Sequence, residues 1–138
     1  MNGLAFFDTS VLVYADDASS AGKQARSIAL FSEHLRRGTA VVSLQVMQEY
    51  FVAVTRKLGV APETAQRKVE ILARGRVVRF EARYVIAAIE LHRLSRISLW
   101  DALIVHAARL AGAAVFYTED LQLGAVLGGV RVVNPFVG

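Results

Sequence analysis

Four acidic residues occupy positions from which they could hold a metal ion. Asp8 follows the apolar run Leu4-Ala5-Phe6-Phe7, and Asp120 follows a second apolar run that ends at Tyr117. Glu49 lies one turn past a short β-branched segment, and Asp101 lies in the first turn of the most hydrophobic helical segment. Carboxylates gathered together repel each other, which raises at least one pKa unless a cation sits among them. Oxygen ligands suit Mg²⁺ or Mn²⁺, and such an ion can activate water and neutralise charge on a phosphodiester.

Each of these acids also has a purely structural explanation. Asp8 could cap the helix that follows it, because Asp, Thr and Ser all suit that position. Glu49 could be a rim carboxylate paired with a neighbouring arginine. Ser98-x-x-Asp101 matches a capping box, in which an acid is stabilised by the helix dipole. The residues alone leave these readings open, and the joint occurrence of four acids favours a metal site.

Apolar runs alternate with helical patterns, which predicts an α/β fold with a buried parallel sheet. The sequence indicates strands at residues 4–7, 39–44, 77–80, 113–118 and 130–133. It indicates helices from about residue 11, at 23–37, 45–58, 62 to about 74, 82–94 and from 98. In a parallel sheet with right-handed crossovers the strand–helix junctions share one edge, so the four acids are expected to meet there.

The patterns also predict which side chains are buried. On the helix at 23–37 the inward residues are Ala25, Ile28, Ala29 and Leu35, and on the helix at 82–94 they are Val85, Ile86, Ile89 and Leu94. Trp100 is expected to fill the core, which is the commoner use of a tryptophan, although it could also stack on a base. Asp16 and Asp17 are expected to be solvated in a loop. His34, His92 and His106 are expected to be structural, because none has a second imidazole at ligand spacing.

Composition limits the class of protein. The 138 residues are 54% hydrophobic and predict a single domain, residues 1–138, with a sizeable core. No apolar run approaches the roughly 18 residues needed to cross a bilayer, and no signal peptide is recognisable, so we expect a soluble cytoplasmic protein without membrane contact. The absence of cysteine excludes disulfides and thiolate metal sites. Sixteen Lys and Arg against twelve Asp and Glu make a nucleic-acid partner plausible.

The chain resembles the PIN-domain family at four acidic motifs. They are Phe6-Phe7-Asp8-Thr9-Ser10-Val11-Leu12, Glu49 after a short strand, Ser98-Leu99-Trp100-Asp101-Ala102-Leu103-Ile104, and Tyr117-Thr118-Glu119-Asp120-Leu121. Among PIN proteins, a domain of this length is similar to the VapC-type toxins. The resemblance implies a three-layer α/β/α fold with a parallel sheet of about five strands. It also implies Mg²⁺- or Mn²⁺-dependent cleavage of RNA, a cognate antitoxin and a homodimer.

The resemblance also implies roles for individual residues. Asp8 and Asp101 would be the main metal ligands, and Asp120 would contribute directly or through water. Glu49 would bind a second ion or orient the attacking water. Thr9 or Ser10, together with Thr118, would fix the carboxylates by hydrogen bonds. The residues that bind RNA are not identified by any motif.

Three other classes of protein share parts of this pattern. An aspartate-dependent phosphotransferase normally has a second acid two residues after the first, where this chain has Ser10. A dinucleotide-binding domain needs a glycine-rich turn after the first strand, and none is present. A catalytically inactive PIN-fold module that binds RNA or protein is the stronger alternative, because it would keep both the fold and the basic surface.

Overall fold

The computed structural model describes residues 3–137, and one five-stranded parallel sheet lies at its centre. The spatial order of the strands is β3-β2-β1-β4-β5, with every neighbouring pair parallel. The strands are β1 (Ala5–Phe7), β2 (Ala40–Ser43), β3 (Arg76–Val78), β4 (Val115–Tyr117) and β5 (Arg131–Val133). The predicted α/β fold with a parallel sheet of about five strands is therefore confirmed.

Helices connect the strands, close to the predicted positions. They are α1 (Thr9–Leu12), α2 (Ala21–Arg36), α3 (Leu44–Lys57), α4 (Pro62–Leu72), α5 (Ala82–Ser95), α6 (Leu99–Leu110) and α7 (Gly124–Leu127). A 3₁₀ turn, Val13–Asp16, continues α1, and a second one, Leu121–Leu123, precedes α7. No helix within residues 3–137 is long and apolar enough to cross a membrane.

The sheet order places a crevice at the carboxyl ends of β1 and β4. These two strands are neighbours, but the chain leaves β1 toward β2 and leaves β4 toward β5 on the opposite side. Their following segments diverge, which is the arrangement at which open α/β sheets bind ligands. Below this edge the sheet is closely packed, with the rings of Phe6 and Phe116 stacked 5.4 Å apart. A rigid apolar base therefore supports the residues that follow β1 and β4.

The predicted inward face of α2 is wrong at Ala25, Ile28 and Ala29, which are exposed, whereas Leu35 is half-buried against the core. Ile28 is 47% exposed, whereas Ser27, Leu30, Phe31 and His34 are buried. The polar members of this face are buried because they have partners: the Ser27 hydroxyl donates to the Val11 carbonyl at 2.8 Å. His34 Nδ1 lies 2.8 Å from the Thr39 hydroxyl, and burial lowers the pKa of His34. Hydrophobicity alone therefore misassigned the rotation of the helix.

The predicted inward face of α5 is also wrong. The four apolar residues predicted to face inward are exposed, and Tyr84 and Ala88 are buried in their place. The Tyr84 hydroxyl donates to the Leu103 carbonyl at 2.8 Å, so α5 docks on α6 through a tyrosine that hydropathy ranks as polar. Exposed fractions are 38% for Val85, 65% for Ile86, 40% for Ile89 and 76% for Leu94.

Asp16 is not solvated, contrary to expectation. Its side chain is 3% exposed, accepts a hydrogen bond from the Tyr50 hydroxyl and forms an ion pair with Lys68. Burial and the hydrogen bond to Asp16 raise the pKa of Tyr50. The three side chains join the 3₁₀ turn to α3 and α4, because a buried carboxylate is tolerated when it is paired and hydrogen-bonded.

Candidate acidic site at the carboxyl edge of the sheet

Asp8 is held by groups from both strands that border the crevice. The Thr9 backbone N–H donates to Asp8 Oδ1 at 2.8 Å, so Asp8 caps α1. The Thr118 hydroxyl, at the end of β4, donates to Asp8 Oδ2 at 2.7 Å, and the Ser10 hydroxyl lies 3.4 Å from the same oxygen. Asp8 therefore caps α1 and also contacts the end of β4, so the structural explanation of this residue is compatible with a place in the acidic site.

Thr9 links two of the acids. While its backbone N–H binds Asp8, its hydroxyl donates to Glu49 Oε1 at 2.7 Å. The second Glu49 oxygen accepts from Gln45 Nε2 at 3.0 Å, and the same amide donates to the Trp100 carbonyl at 3.1 Å. Glu49 is thus fixed at both oxygens, by Thr9 of α1 on one side and by Gln45 of its own helix on the other.

Gln45 is a residue that the sequence analysis missed. It lies one turn before Glu49 on α3 and is 4% exposed. Its i, i+4 spacing from Glu49 was the available signal, since residues four apart are neighbours on a helix. Its Oε1 atom is buried and has no hydrogen-bond partner among residues 3–137. The side-chain oxygen of Gln45 is therefore buried without a partner in an amide that contacts Glu49.

Asp101 enters the same region from α6. Its backbone N–H donates to the Ser98 hydroxyl at 2.9 Å, which confirms the predicted helix cap. The face that it shares with Ile104, Val105 and Ala108 is buried, and Asp101 itself is half-buried. The Trp100 carbonyl, one residue before Asp101, accepts a hydrogen bond from Gln45 Nε2 at 3.1 Å, which places the first turn of α6 next to the start of α3.

The two acids after β4 have different partners. Glu119 Oε2 lies 3.1 Å from Lys23 Nζ on α2, and Lys23 also contacts the Tyr14 hydroxyl at 3.3 Å. Asp120 donates its backbone N–H to the Thr118 hydroxyl at 3.0 Å and contributes to the raised pKa of Asp101. Glu119 is therefore neutralised by Lys23, and Asp120 belongs electrostatically with Asp101.

The electrostatics connect all four candidate acids. Burial raises the pKa of Asp8 to about 6, against hydrogen bonds from Thr118 and Thr9 that lower it, and the charges of Glu49 and Asp101 raise it further. Burial likewise raises the pKa of Asp101, with Asp120 and Glu49 adding to the effect and Ser98 opposing it. The negative charges at this edge are thus close enough to disfavour one another.

The chemistry of the donor set fits a hard divalent cation, although the acidic side chains lie farther apart than the ligands of an occupied metal site. Within the described residues, no three acidic or histidine side chains converge closely enough to form a ready-made metal site. The groups at this edge are the coupled carboxylates and, next to Glu49, the side-chain amide of Gln45, and oxygen donors of this kind suit Mg²⁺ or Mn²⁺. A cation would offset the burial and the repulsion that together raise the pKa values of Asp8 and Asp101.

The raised pKa of Asp8 predicts how the stability of the metal-free protein depends on pH. Since the folded-state pKa is about 6 and the unfolded value is 3.8, the native state holds the proton more tightly, and the free energy of unfolding falls as pH rises between these values. The shift corresponds to at most about 3 kcal/mol, and we expect about 1–2 kcal/mol because the side chain is not fully buried. Chemical denaturation at pH 4 and pH 7 in EDTA measures the change.

Asp8→Asn is the matched variant for this experiment. It removes the ionisation, so the difference in stability between variant and wild type should grow in favour of the variant from pH 4 to pH 7. Comparing the two proteins cancels the titration of the remaining acids. A constant difference across this range would show that Asp8 ionises without penalty.

The chain belongs to the PIN-domain family. The sequence model of the PIN domain matches residues 5–126, which contain all four acids. A comparison with curated proteins gave no match.

Solved structures with this fold include toxin–antitoxin proteins. The VapC20 toxin of Mycobacterium tuberculosis, described as cleaving the sarcin–ricin loop, is 22% identical with a TM-score of 0.70, over 92% of this chain and 98% of that one. FitAcB from Neisseria gonorrhoeae is 19% identical with a TM-score of 0.71, over 96% and 99% of the two chains. A toxin–antitoxin complex from Klebsiella pneumoniae is 19% identical with a TM-score of 0.69, over 95% and 97%. At these identities the similarity establishes the fold.

Proposed function

We propose that this protein is a divalent-metal-dependent endoribonuclease and the toxin of a type II toxin–antitoxin pair. The observation that carries the proposal is the electrostatic coupling of Asp8, Glu49, Asp101 and Asp120 at the carboxyl edge of a PIN-domain sheet. Neutral binding surfaces have no need for four mutually repelling carboxylates. A centre that must take up a cation and hydrolyse a phosphodiester does.

The residues divide into those that would hold the ion and those that would orient water. Asp8, Asp101 and Asp120 would hold Mg²⁺ or Mn²⁺, which when bound lowers the pKa of water and neutralises charge on the phosphodiester. Glu49 would accept a hydrogen bond from the attacking water, since both of its oxygens are already oriented, by Thr9 and by Gln45. Thr118 and Ser10 would keep Asp8 in place.

Basic residues near Glu49 support RNA as the substrate. A shallow, open depression of about 460 Å³ runs along α3 from Gln48 and Glu49 to Arg56 and Lys57. Within residues 3–137 neither Arg56 nor Lys57 has an acidic group within ion-pair distance. An exposed, unpaired Arg–Lys pair at the end of a path that begins at an acidic centre suits the phosphates that flank a cleaved bond.

Protein partners are part of the proposal. Several solved structures of the same fold are toxin–antitoxin complexes, which supports a cognate antitoxin for this chain. The exposed apolar residues of α5, including Ile86 and Leu94, offer surface for a second copy of the chain, and we propose a homodimer.

Induced expression in a bacterial host tests the proposed function. Wild-type protein should arrest growth, Asp8→Asn should not, and co-expression of the neighbouring gene should restore growth. Purified wild type should cleave RNA but leave DNA of the same sequence intact. Growth arrest by Asp8→Asn equal to that of wild type would favour the inactive binding module instead.

A further inference from the structure

Trp100 is the exposed aromatic residue at the acidic site. Its side chain is 63% exposed, although the next residues of α6, from Ala102 to Val105, are buried. The expectation that it fills the core is therefore wrong. Tryptophan combines a large apolar face with a polar N–H and is enriched at binding interfaces, so Trp100 is a candidate contact for a partner outside the fold.

The backbone of Trp100 is fixed to the acidic site on two sides. Its carbonyl accepts the hydrogen bond from Gln45 Nε2, and the same amide holds Glu49 Oε2 at 3.0 Å. The following residue is Asp101, whose N–H is capped by Ser98 at 2.9 Å. A single glutamine amide thus ties the position of Trp100 to Glu49, while the first turn of α6 ties it to Asp101.

We propose that Trp100 is a stacking platform for an unpaired base of the RNA, next to the bond that is cleaved. This inference rests on the proposed function and names the part of the substrate that the site recognises. Aromatic side chains stack on unpaired bases of any sequence, and RNA recognition commonly uses single-stranded segments in this way. The platform would hold one nucleotide while its neighbouring phosphate lies at the acids.

The polar surroundings favour a nucleotide over an apolar protein surface. Gln45 donates to the Trp100 carbonyl and Asp101 follows Trp100 in the chain, so an apolar partner docked at this turn would bring apolar surface toward polar and charged groups, which is costly. A nucleotide presents an apolar base face to the indole and polar groups to its surroundings. The unpaired Arg56 and Lys57, farther along α3, add the charge that the backbone of such a ligand requires.

Tryptophan fluorescence provides a direct test, because Trp100 is the single tryptophan of the chain. A short single-stranded RNA of randomised sequence is titrated into Asp8→Asn protein in EDTA, so that the RNA stays intact. We expect quenching of the emission that saturates with RNA. The same length of abasic RNA, which has phosphates but no bases, should quench much less.

Cleavage kinetics provide the second test. Trp100→Ala should raise KM for RNA about 10-fold, with a smaller effect on kcat, because the lost stacking is mainly a binding contribution. Trp100→Phe should restore most of the affinity. Ile28→Ala is the matched control, since Ile28 is also apolar and 47% exposed but lies on α2, outside the acidic site and the proposed dimer surface. Its KM should equal that of wild type.

The outcomes separate this proposal from the proposed function. Quenching by RNA without cleavage would support the platform and contradict the nuclease. Cleavage with an unchanged KM in Trp100→Ala and no quenching would overturn the platform and leave the nuclease standing. If the emission instead follows protein concentration, and Trp100→Ala weakens self-association without affecting RNA binding, the indole is a contact between copies and the platform is overturned.

Discussion

Replacing Asp101 by asparagine is expected to lower the rate of RNA cleavage by about 10³-fold or more while the protein stays folded. The substitution keeps the size of the side chain and the Ser98 cap, which uses the backbone N–H. It removes a negative charge that the cation needs, and metal-ion contributions to such reactions amount to several kcal/mol. Initial rates on a labelled RNA measure the effect, and circular dichroism with thermal melting verifies the fold.

Glu119→Gln is the matched control for this experiment. It removes a carboxylate that follows β4 at the same edge of the sheet. Because this carboxylate pairs with Lys23, we expect cleavage within a few-fold of wild type. Asp120→Asn, one residue further, should cause a large loss. A reversal of these two results would assign the metal to Glu119 and make the Lys23 contact a feature of the metal-free state.

Chelation is expected to have the second large effect. EDTA should reduce cleavage to background, and Mg²⁺ or Mn²⁺ should restore it, because the donors at the site are oxygens and the chain contains no cysteine. A ligand that binds only the native state stabilises it by mass action. The melting temperature of wild type should therefore rise with Mn²⁺ concentration.

Asp8→Asn and Asp101→Asn separate binding at the acids from general effects of the ion. Their melting temperatures should respond much less to Mn²⁺, whereas Glu119→Gln should respond like wild type. This measurement does not depend on finding the natural RNA. Cleavage by wild type that persists undiminished in excess chelator would contradict the metal-dependent mechanism.

The strands, and the positions of Asp8 and Asp120 after two of them, could be predicted from the sequence because both depend on local patterns. Short apolar runs such as Val115-Phe116-Tyr117 form strands that are sheltered by helices, and the parallel sheet then brings their carboxyl ends together. The placement of Asp8 beside Thr118 follows from this topology alone. The match to PIN motifs added proposed roles for the acids, which remain predictions.

Partners distant in the sequence account for what was missed. Ser27 and His34 can be buried because Ser27 donates to the Val11 carbonyl and His34 is hydrogen-bonded to the Thr39 hydroxyl. Nothing in the pattern of α2 indicates those contacts. The same is true of Gln45, which looks like a surface residue until Trp100 and Glu49 are placed around it. Single-sequence reasoning counts polar residues as exposed unless it knows what satisfies them.

The buried contact of Asp16 with Tyr50 and Lys68 lies next to Glu49 in the chain. Tyr50 follows Glu49 directly, so its anchor on the 3₁₀ turn sets the rotational alignment of α3 and thereby the aim of the neighbouring carboxylate. The orientation of the Glu49 carboxylate is thus supported by a buried contact that its neighbour in the chain makes. For the proposed ribonuclease, substitutions at this buried contact are expected to impair cleavage although none of its three residues is one of the four acids.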